Sequence, residues 1–585
     1  VSHAGLNPFH GLAWSCFAGL ALLTPCVAAA QDGSGVSGGP GPINTADLAG
    51  ARLDDIEIQI DGVTDPAAAS ALEQEVRAAL GLSVGDPLDL LSFDRAIGAA
   101  ERVAGVATIK WRLDRAIAPQ LNTLVLSVKA GSDQTAAAKS SSPLVLHRGQ
   151  RSFLRIMANG GFGVFSDGNP WFRNAETFTR GNPLVQDPQI GADTGKRATW
   201  TEMYFEYGLA GVAPLGIPDV YLYGAATATT VASIGEDIYR DDSRSTTSIE
   251  KLYAGLLYAP ANGTRINLGV GRQNFSLNEG FLVNQYGPGA MFNAGPRPGI
   301  YLAPRTTSDF STLLTIKSGK LVSTSFFINP NEYKPIESNT KLAGTNLRYN
   351  FTKSAALDVS YINIVNSDAS IATPNGPNRG REGIQTISVH GRWADAGILP
   401  GVWLDGEVAH QWHNDYDMNA WAGYGLVGYI ARDVSWSPSI SYRFASFSGD
   451  DPDTQTFERF DPLFSGGLGE WLQGISIGKA LLQANRQTHR IRTNVSPDPR
   501  LNLTFDIFFH RANELNNRGG NRVLTDLISR DLGMEYQWVT RWAISPRVYF
   551  VGVVSRAEPG DAIRAVTPRE ARPWSTLQAQ FYFNF

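Results

Sequence analysis

Past residue 30 the chain has no cysteine, because Cys16 and Cys26 both fall within the first thirty positions. The remainder can therefore carry no disulfide and no thiol chemistry. It also lacks any later stretch of about 20 apolar residues, which excludes a transmembrane helix. Charged residues make up 18% of the 585, below the roughly 25% usual in soluble domains. No glycine-rich phosphate loop and no basic stripe occurs, so neither a nucleotide nor a nucleic acid is an expected partner. Asp450, Asp451 and Asp453 could offer oxygens to calcium, but the spacing lacks the glycine and distal glutamate of an EF-hand. His410 and His413 flank Trp412 without a third ligand and suit an aromatic girdle better. No metal, cofactor or catalytic residue is assigned, and the chain is not expected to be an enzyme. A nucleophile and base paired on a barrel rim is the one catalytic arrangement left open.

What is present is alternation. In Leu577–Phe585 the residues Leu577, Ala579, Phe581, Phe583 and Phe585 share one strand face, and Gln578, Gln580, Tyr582 and Asn584 share the other. An apolar outer face, a polar inner face and a terminal aromatic suit the closing strand of an outer-membrane barrel. An edge strand of a soluble sandwich alternates in the same way, so other segments must decide. Residues 1–30 supply one: an apolar core, Leu12–Leu23, and Ala28-Ala29-Ala30 before Gln31 read as a secretory signal, although His3 and His10 stand where Lys or Arg is usual.

Residues 31–50, rich in Gly, Pro and Ser, read as a linker. Residues 51–130 then follow the order β-α-α-β-β. Ile56, Ile58 and Ile60 alternate, 66–80 and 91–104 have helical periodicity with Asp65 placed as a cap, and 106–113 and 121–128 close as strands. With Gly81–Leu88 between the helices and Gly105-Val106 opening the next strand, this unit resembles a POTRA domain. The resemblance implies a periplasmic module whose sheet edge docks a partner or a passing chain. A small α+β domain with no partner remains the alternative. Residues 131–148 read as a second linker, before a barrel at 149–585.

Eighteen strands can be placed there: 153–162, 200–209, 219–230, 249–258, 264–271, 309–316, 320–328, 342–351, 356–364, 384–392, 402–410, 421–430, 435–444, 487–495, 501–510, 531–539, 544–552 and 576–585. Connections after even-numbered strands are short and those after odd-numbered ones long, notably 163–199, 272–308 and 445–486. This is the pattern of an all-β, antiparallel transmembrane barrel of about 18 strands, with short periplasmic turns and long outer loops. Outer-membrane lipid is then its first partner. Trp436, Pro438, Ile440, Tyr442 and Phe444 on one strand, and Leu501, Leu503, Phe505, Ile507 and Phe509 on another, would face that lipid.

The opposite faces would point into the lumen. They carry Arg155, Lys251, Arg265, Arg348, Arg392, Arg443, Arg490, Arg492 and Arg547, with Glu202, Glu206, Asp358, Asp405, Glu407, Asp506 and Glu535. These charges could form a lattice of ion pairs that stiffens the wall. They could also form an electropositive constriction for an anionic solute. Arg443, Arg490 and Arg492 make the densest basic cluster.

Two loops are more specific. One opens Gly271-Arg-Gln-Asn-Phe-Ser-Leu-Asn-Glu-Gly-Phe-Leu-Val283; the other contains Gly449-Asp450-Asp451 and then Phe460-Asp-Pro-Leu-Phe464. Over residues 150–585 these resemble the alginate-export porin family of outer-membrane proteins. The resemblance implies an 18-stranded barrel whose arginine-rich lumen passes an anionic polysaccharide, with Arg272, Gln273, Arg459 and Asp461 at the pore entrance, holding loops over or into the lumen. The POTRA-like unit departs from that family. It favours instead a protein-translocating barrel of the two-partner secretion type, but those carry a Val/Ile-Arg-Gly-Tyr/Phe loop motif that this chain lacks. Thr179-Arg-Gly-Asn182 and Asn517-Arg-Gly-Gly520 are poor substitutes. A general diffusion porin is the third reading.

Overall fold

The computed structural model describes residue 52 onward, apart from 83, 85, 87–95, 118–119, 132–143, 150, 172–196, 238–241, 261–262, 279, 285–296, 300, 303–305, 333–336, 372–377, 395–398, 466–469, 482, 516–526, 546, 567–570 and 585. The expected signal (1–30) and first linker (31–50) lie outside these residues.

The N-terminal unit contains β1 (Asp55–Asp61), α1 (Pro66–Leu80), β2 (Val106–Ile117) and β3 (Gln120–Ala130). Its sheet order is β1-β3-β2, with β1 parallel and β2 antiparallel to β3. Asp65 caps α1 by accepting the Ala67 N–H at 3.1 Å, Pro66 occupies a position where an N–H would be unpaired anyway, and Gly81 ends the helix at φ 59°. Of the second predicted helix, residues 96–100 are helical and 91–95 lie outside the described residues. Val76, Leu80, Ile97, Trp111, Leu124 and Val128 form the core of this unit.

The remaining strands are β4 (Val145–Arg148), β5 (Phe153–Gly168), β6 (Arg197–Pro214), β7 (Val220–Glu236), β8 (Arg244–Tyr258), β9 (Arg265–Arg272), β10 (Phe310–Ser318), β11 (Leu321–Asn329), β12 (Lys341–Thr352), β13 (Ala355–Asn366), β14 (Ser370–Ile371), β15 (Arg379–Gly380), β16 (Gln385–Ala394), β17 (Val402–Trp412), β18 (Ala420–Ile430), β19 (Ser439–Phe447), β20 (Arg486–Asp498), β21 (Leu501–Arg511), β22 (Asp531–Ser545), β23 (Val548–Pro559) and β24 (Trp574–Asn584). Among the described residues β5–β13 and β16–β24 pair in sequence, and β24 pairs antiparallel with β5 from Ser575↔Gly168 to Asn584↔Asn159, closing an 18-stranded antiparallel barrel. Each of the eighteen predicted strands corresponds to one of these. The long connections 169–196, 273–309 and 448–485 leave one end of the barrel, and turns such as 319–320, 353–354 and 499–500 form the other.

Three differences have local causes. The strand predicted from residue 435 begins at Ser439, because Trp436 and Ser437 adopt φ 70° and 43° in the preceding turn. Arg547 lies in the turn between β22 and β23 rather than on a strand. Val145–Arg148, within the segment read as linker, adds a short strand against β5.

No helix among the described residues is long and apolar enough to cross a membrane; the strands cross it. Their outward side chains are apolar yet open, with Val408 55%, Ile440 53% and Leu577 53% exposed. A belt of this extent would be an association hazard in water and is the lipid contact of a barrel. Inward neighbours such as Asp358, Arg443, Asp506 and Gln578 are buried. At one place the lumen face is deliberately thin: a Cβ at Gly161 would overlap the Tyr204 ring, which lies across it.

Candidate functional site: the lumen constriction

The described residues of two long loops turn into the barrel. Residues 273–309 and 448–485 meet through Asn284 N–H to Phe464 O (2.9 Å) and a parallel bridge between Val283 and Phe464. Phe281 and Trp471 meet edge-to-face with ring centres 4.8 Å apart, among Tyr424, Phe447 and Phe460. Burying several aromatics in the long-loop half of the lumen fixes the loops there.

Inward carboxylates of the wall hold the loop backbone. Glu202 accepts the N–H groups of Tyr301 and Leu302, each at 2.9 Å. Glu250 accepts from Thr306 N–H at 2.7 Å. Glu535 accepts from Ser476 N–H (3.0 Å), Ile477 N–H (2.8 Å) and the Ser555 hydroxyl (2.6 Å). Asp167 receives the Lys479 ammonium at 2.9 Å and the Trp574 indole N–H at 2.9 Å. Bonds between charged partners, as between Lys479 and Asp167, are about twice as strong as neutral ones. These loop amides are thereby satisfied inside the barrel.

The basic cluster lies on β19 and β20, two strands from Glu535. Arg443 on β19 pairs directly in register with Arg490 on β20, and Arg492 with Asp506 on β21. Like charges side by side require a common counter-ion. It comes from the loop: Glu470 contacts Arg443 at 3.0 Å, Arg492 at 3.1 Å, and Arg490. Arg492 also holds Asp506 through two bonds of 2.6 and 3.0 Å, and the Arg443 guanidinium lies 4.3 Å from the Trp471 ring. Three guanidiniums thus converge on one carboxylate presented from within the lumen.

The other predicted residues separate into two groups. Asp461 receives Arg381 through Nε at 2.6 Å and Nη2 at 2.7 Å, accepts the Leu463 N–H, and exchanges backbone bonds with the Gln411 amide. Arg459 lies over Phe457 at 5.7 Å, and its burial pulls the guanidinium down to about 10 against the nearby Asp461 and Asp450. Arg272 pairs with Asp309, while the Gln273 carbonyl accepts from Ser308, so both brace the root of the first loop. Toward the short-turn end, Arg348 contacts Asp358 at 3.3 Å and Arg392 contacts Asp54 of the N-terminal unit at 3.4 Å. Arg348 and Arg392 are therefore apart from the Arg443 cluster. There too His390 bridges Asp358 (3.0 Å) and Asp405 (3.4 Å).

Sequence reasoning missed Glu470, Arg381, Glu250 and Asp167. Glu470 and Arg381 sit on loops, where no periodicity reports direction. Glu250 follows outward Ile249 and precedes inward Lys251; a β-bulge, where Ala226↔Leu252 is followed by Ala228↔Ile249, turns both to the lumen. Asp167 fell beyond the predicted end of its strand, although alternation carried to Gly168 would have found it.

The family model described as alginate export matches residues 225–574. Solved structures with a similar course include OccK5 (OpdH) of Pseudomonas aeruginosa, at 10% identity over 74% of this chain and 98% of that one, TM-score 0.45. OccK11 (OpdR) of the same organism aligns at 11% over 74% and 96%, TM-score 0.44, and CdiB of Acinetobacter baumannii at 9% over 92% and 74%, TM-score 0.33. No curated protein sequence matches the chain. With the family match running from within β7 to the first residue of β24, around an 18-stranded barrel belted with apolar side chains, the chain belongs to the alginate export family and is an outer-membrane channel.

Proposed function

We propose that this channel passes an anionic polymer, a carboxylate-bearing polysaccharide of the alginate kind, and that Arg443, Arg490 and Arg492 are where its carboxylates bind. The short-turn end and the N-terminal unit face the periplasm in this reading, as short turns do in such barrels. The supporting observation is Glu470. A carboxylate carried on a loop already meets three inward guanidiniums, so the wall is shaped for that group in both charge and hydrogen-bond geometry. A polymer carboxylate arriving at the cluster competes with Glu470 for bonds of the same kind. Arg348, Arg392 and the carboxylates Asp506 and Glu535 then serve to keep the remaining wall neutral and the loops in place.

The test is block of single-channel current in a planar bilayer. Alginate oligomers at micromolar to millimolar concentration should interrupt the current, and neutral dextran of equal length should not. Replacing Arg443, Arg490 and Arg492 together by Ser should weaken the alginate block at least tenfold while the barrel still inserts. Equal block by both polymers, or block unchanged in the triple variant, would remove this reading. Block by unfolded polypeptide but by neither polysaccharide would favour protein translocation instead.

A further inference from the structure

The N-terminal unit does not hang beside the barrel; it lies across one mouth. Asp86 is 1% exposed and contacts Arg265 at 3.0 Å and Lys317 at 2.7 Å. Lys317 also donates to the Val84 carbonyl at 2.9 Å. Asp54 meets Arg392 at 3.4 Å, and Asp55 meets Lys353 at 2.7 Å. On the other side of the unit, Arg102 donates to the Gly149 carbonyl just before β5.

The places of these partners around the ring are informative. Gly149 leads into the first barrel strand, β5. Arg265 and Lys317 belong to the fifth and sixth, β9 and β10. Lys353 lies in the turn between the eighth and ninth, β12 and β13, and Arg392 on the tenth, β16. In a closed ring of eighteen, the first strand and the ninth or tenth are diametrically opposed. Contacts at both ends of a diameter, and a quarter-turn round the rim between them, mean that the unit reaches across the opening. All of them are at the short-turn end, away from the inserted loops.

The four ion pairs run one way, aspartates from the unit and cations from the rim, while Arg52 of the unit, near Asp358 of the barrel, runs the other. We infer that the N-terminal unit is a plug, held over the short-turn mouth by an ionic latch, and that the cations it covers are a receiving site for a polymer bearing carboxylates, which opens the channel by taking the place of Asp54, Asp55 and Asp86. The latch stands on the geometry alone. The choice of opener rests on the anionic-polymer reading above.

The experiment records open probability for the whole chain in a planar bilayer. First, in KCl alone, Asp86→Asn with Lys353→Gln removes three of the four ion pairs and should raise open probability at least tenfold over the native chain. The same result is expected when the cut is made from the barrel side with Arg265→Gln and Lys317→Gln, which leaves the N-terminal unit untouched. Exchanging the charges, Asp86→Lys with Arg265→Glu and Lys317→Glu, should return the channel to its closed level. Correct folding of each variant is read from heat-modifiable mobility on a gel. Unchanged open probability in both cut variants, with folded barrels, would overturn the plug. Second, polygalacturonate added on the short-turn side should open the native chain at concentrations where dextran does nothing, and should add nothing to the cut variants. If the cuts open the channel but polygalacturonate leaves the native chain closed, the proposed opener is overturned while the latch stands. Failure of the alginate block in the arginine variant, by contrast, bears on the lumen alone.

Discussion

Glu470→Gln is the sharpest single perturbation of the constriction. In the native cluster three guanidiniums face two carboxylates, Glu470 and Asp506, leaving one net positive charge; the substitution leaves two and keeps a side chain of the same shape. One unit charge about 8 Å from a passing ion is worth about 0.5 kcal/mol in water-like surroundings. It lowers the energy of an anion and raises that of a cation, so their difference changes by about 1 kcal/mol, about fivefold in the chloride-to-potassium permeability ratio. The ratio is read from the reversal potential of open channels under a KCl gradient. Near 10 mM salt the Debye length of about 30 Å leaves the effect intact, and near 1 M, at about 3 Å, most of it should vanish. Glu470→Asp, which keeps the charge, should stay within about twofold of the native ratio. An unchanged ratio at low salt, or a shift toward potassium, would mean that the cluster does not set the field in the pore.

The loop anchor is tested by Asp461→Ala. Arg381 would remain buried without its bidentate partner, a loss of about 3–5 kcal/mol of local stability, seen as faster hydrogen exchange at Asn284 and Phe464, whose N–H groups join the two loops; protection equal to the native chain would refute the anchor. A third expectation concerns pH. Burial, above all, pushes the Asp450 carboxyl up to about 6, with Glu458 and Arg459 facing it. The folded loop thus holds this proton more tightly than the unfolded chain, so its contribution to stability is present at low pH and lost as pH rises through about 6. Exchange at the Glu458 amide, which donates to Asp450 at 2.7 Å, should therefore be slower at pH 5 than at pH 7.5 after correction for intrinsic rates, and Asp450→Asn should abolish the difference.

Much of the barrel was legible because a transmembrane strand has to satisfy two solvents at once. With lipid on one side and a polar lumen on the other, each residue's direction follows from its polarity, and Arg443, Arg490, Arg492 and Asp506 could be assigned inward from Tyr442, Ile491 and Ile507 alone. The same rule fails wherever backbone geometry interrupts the period of two. At Trp436 positive φ delays the start of the strand; at Glu250 a bulge reverses the face; at Arg547 a tight turn replaces it.

From its sequence alone this chain is committed to eighteen alternating strands, to short turns at one end and long loops at the other, and to a small β-α-α-β-β unit ahead of them, since these follow from local periodicity and local turn chemistry. Where the loops go is a different kind of question. That Glu470 lies between three arginines, that Glu202 and Glu535 hold loop amides rather than solute, and that Asp86 sits between Arg265 and Lys317 all join residues far apart in the chain. No period in the sequence encodes such pairings. They arise because closing the barrel brings inward charges together in a confined space, where each must find a counter-charge or a hydrogen bond, and only the closed ring determines which of the available partners is within reach.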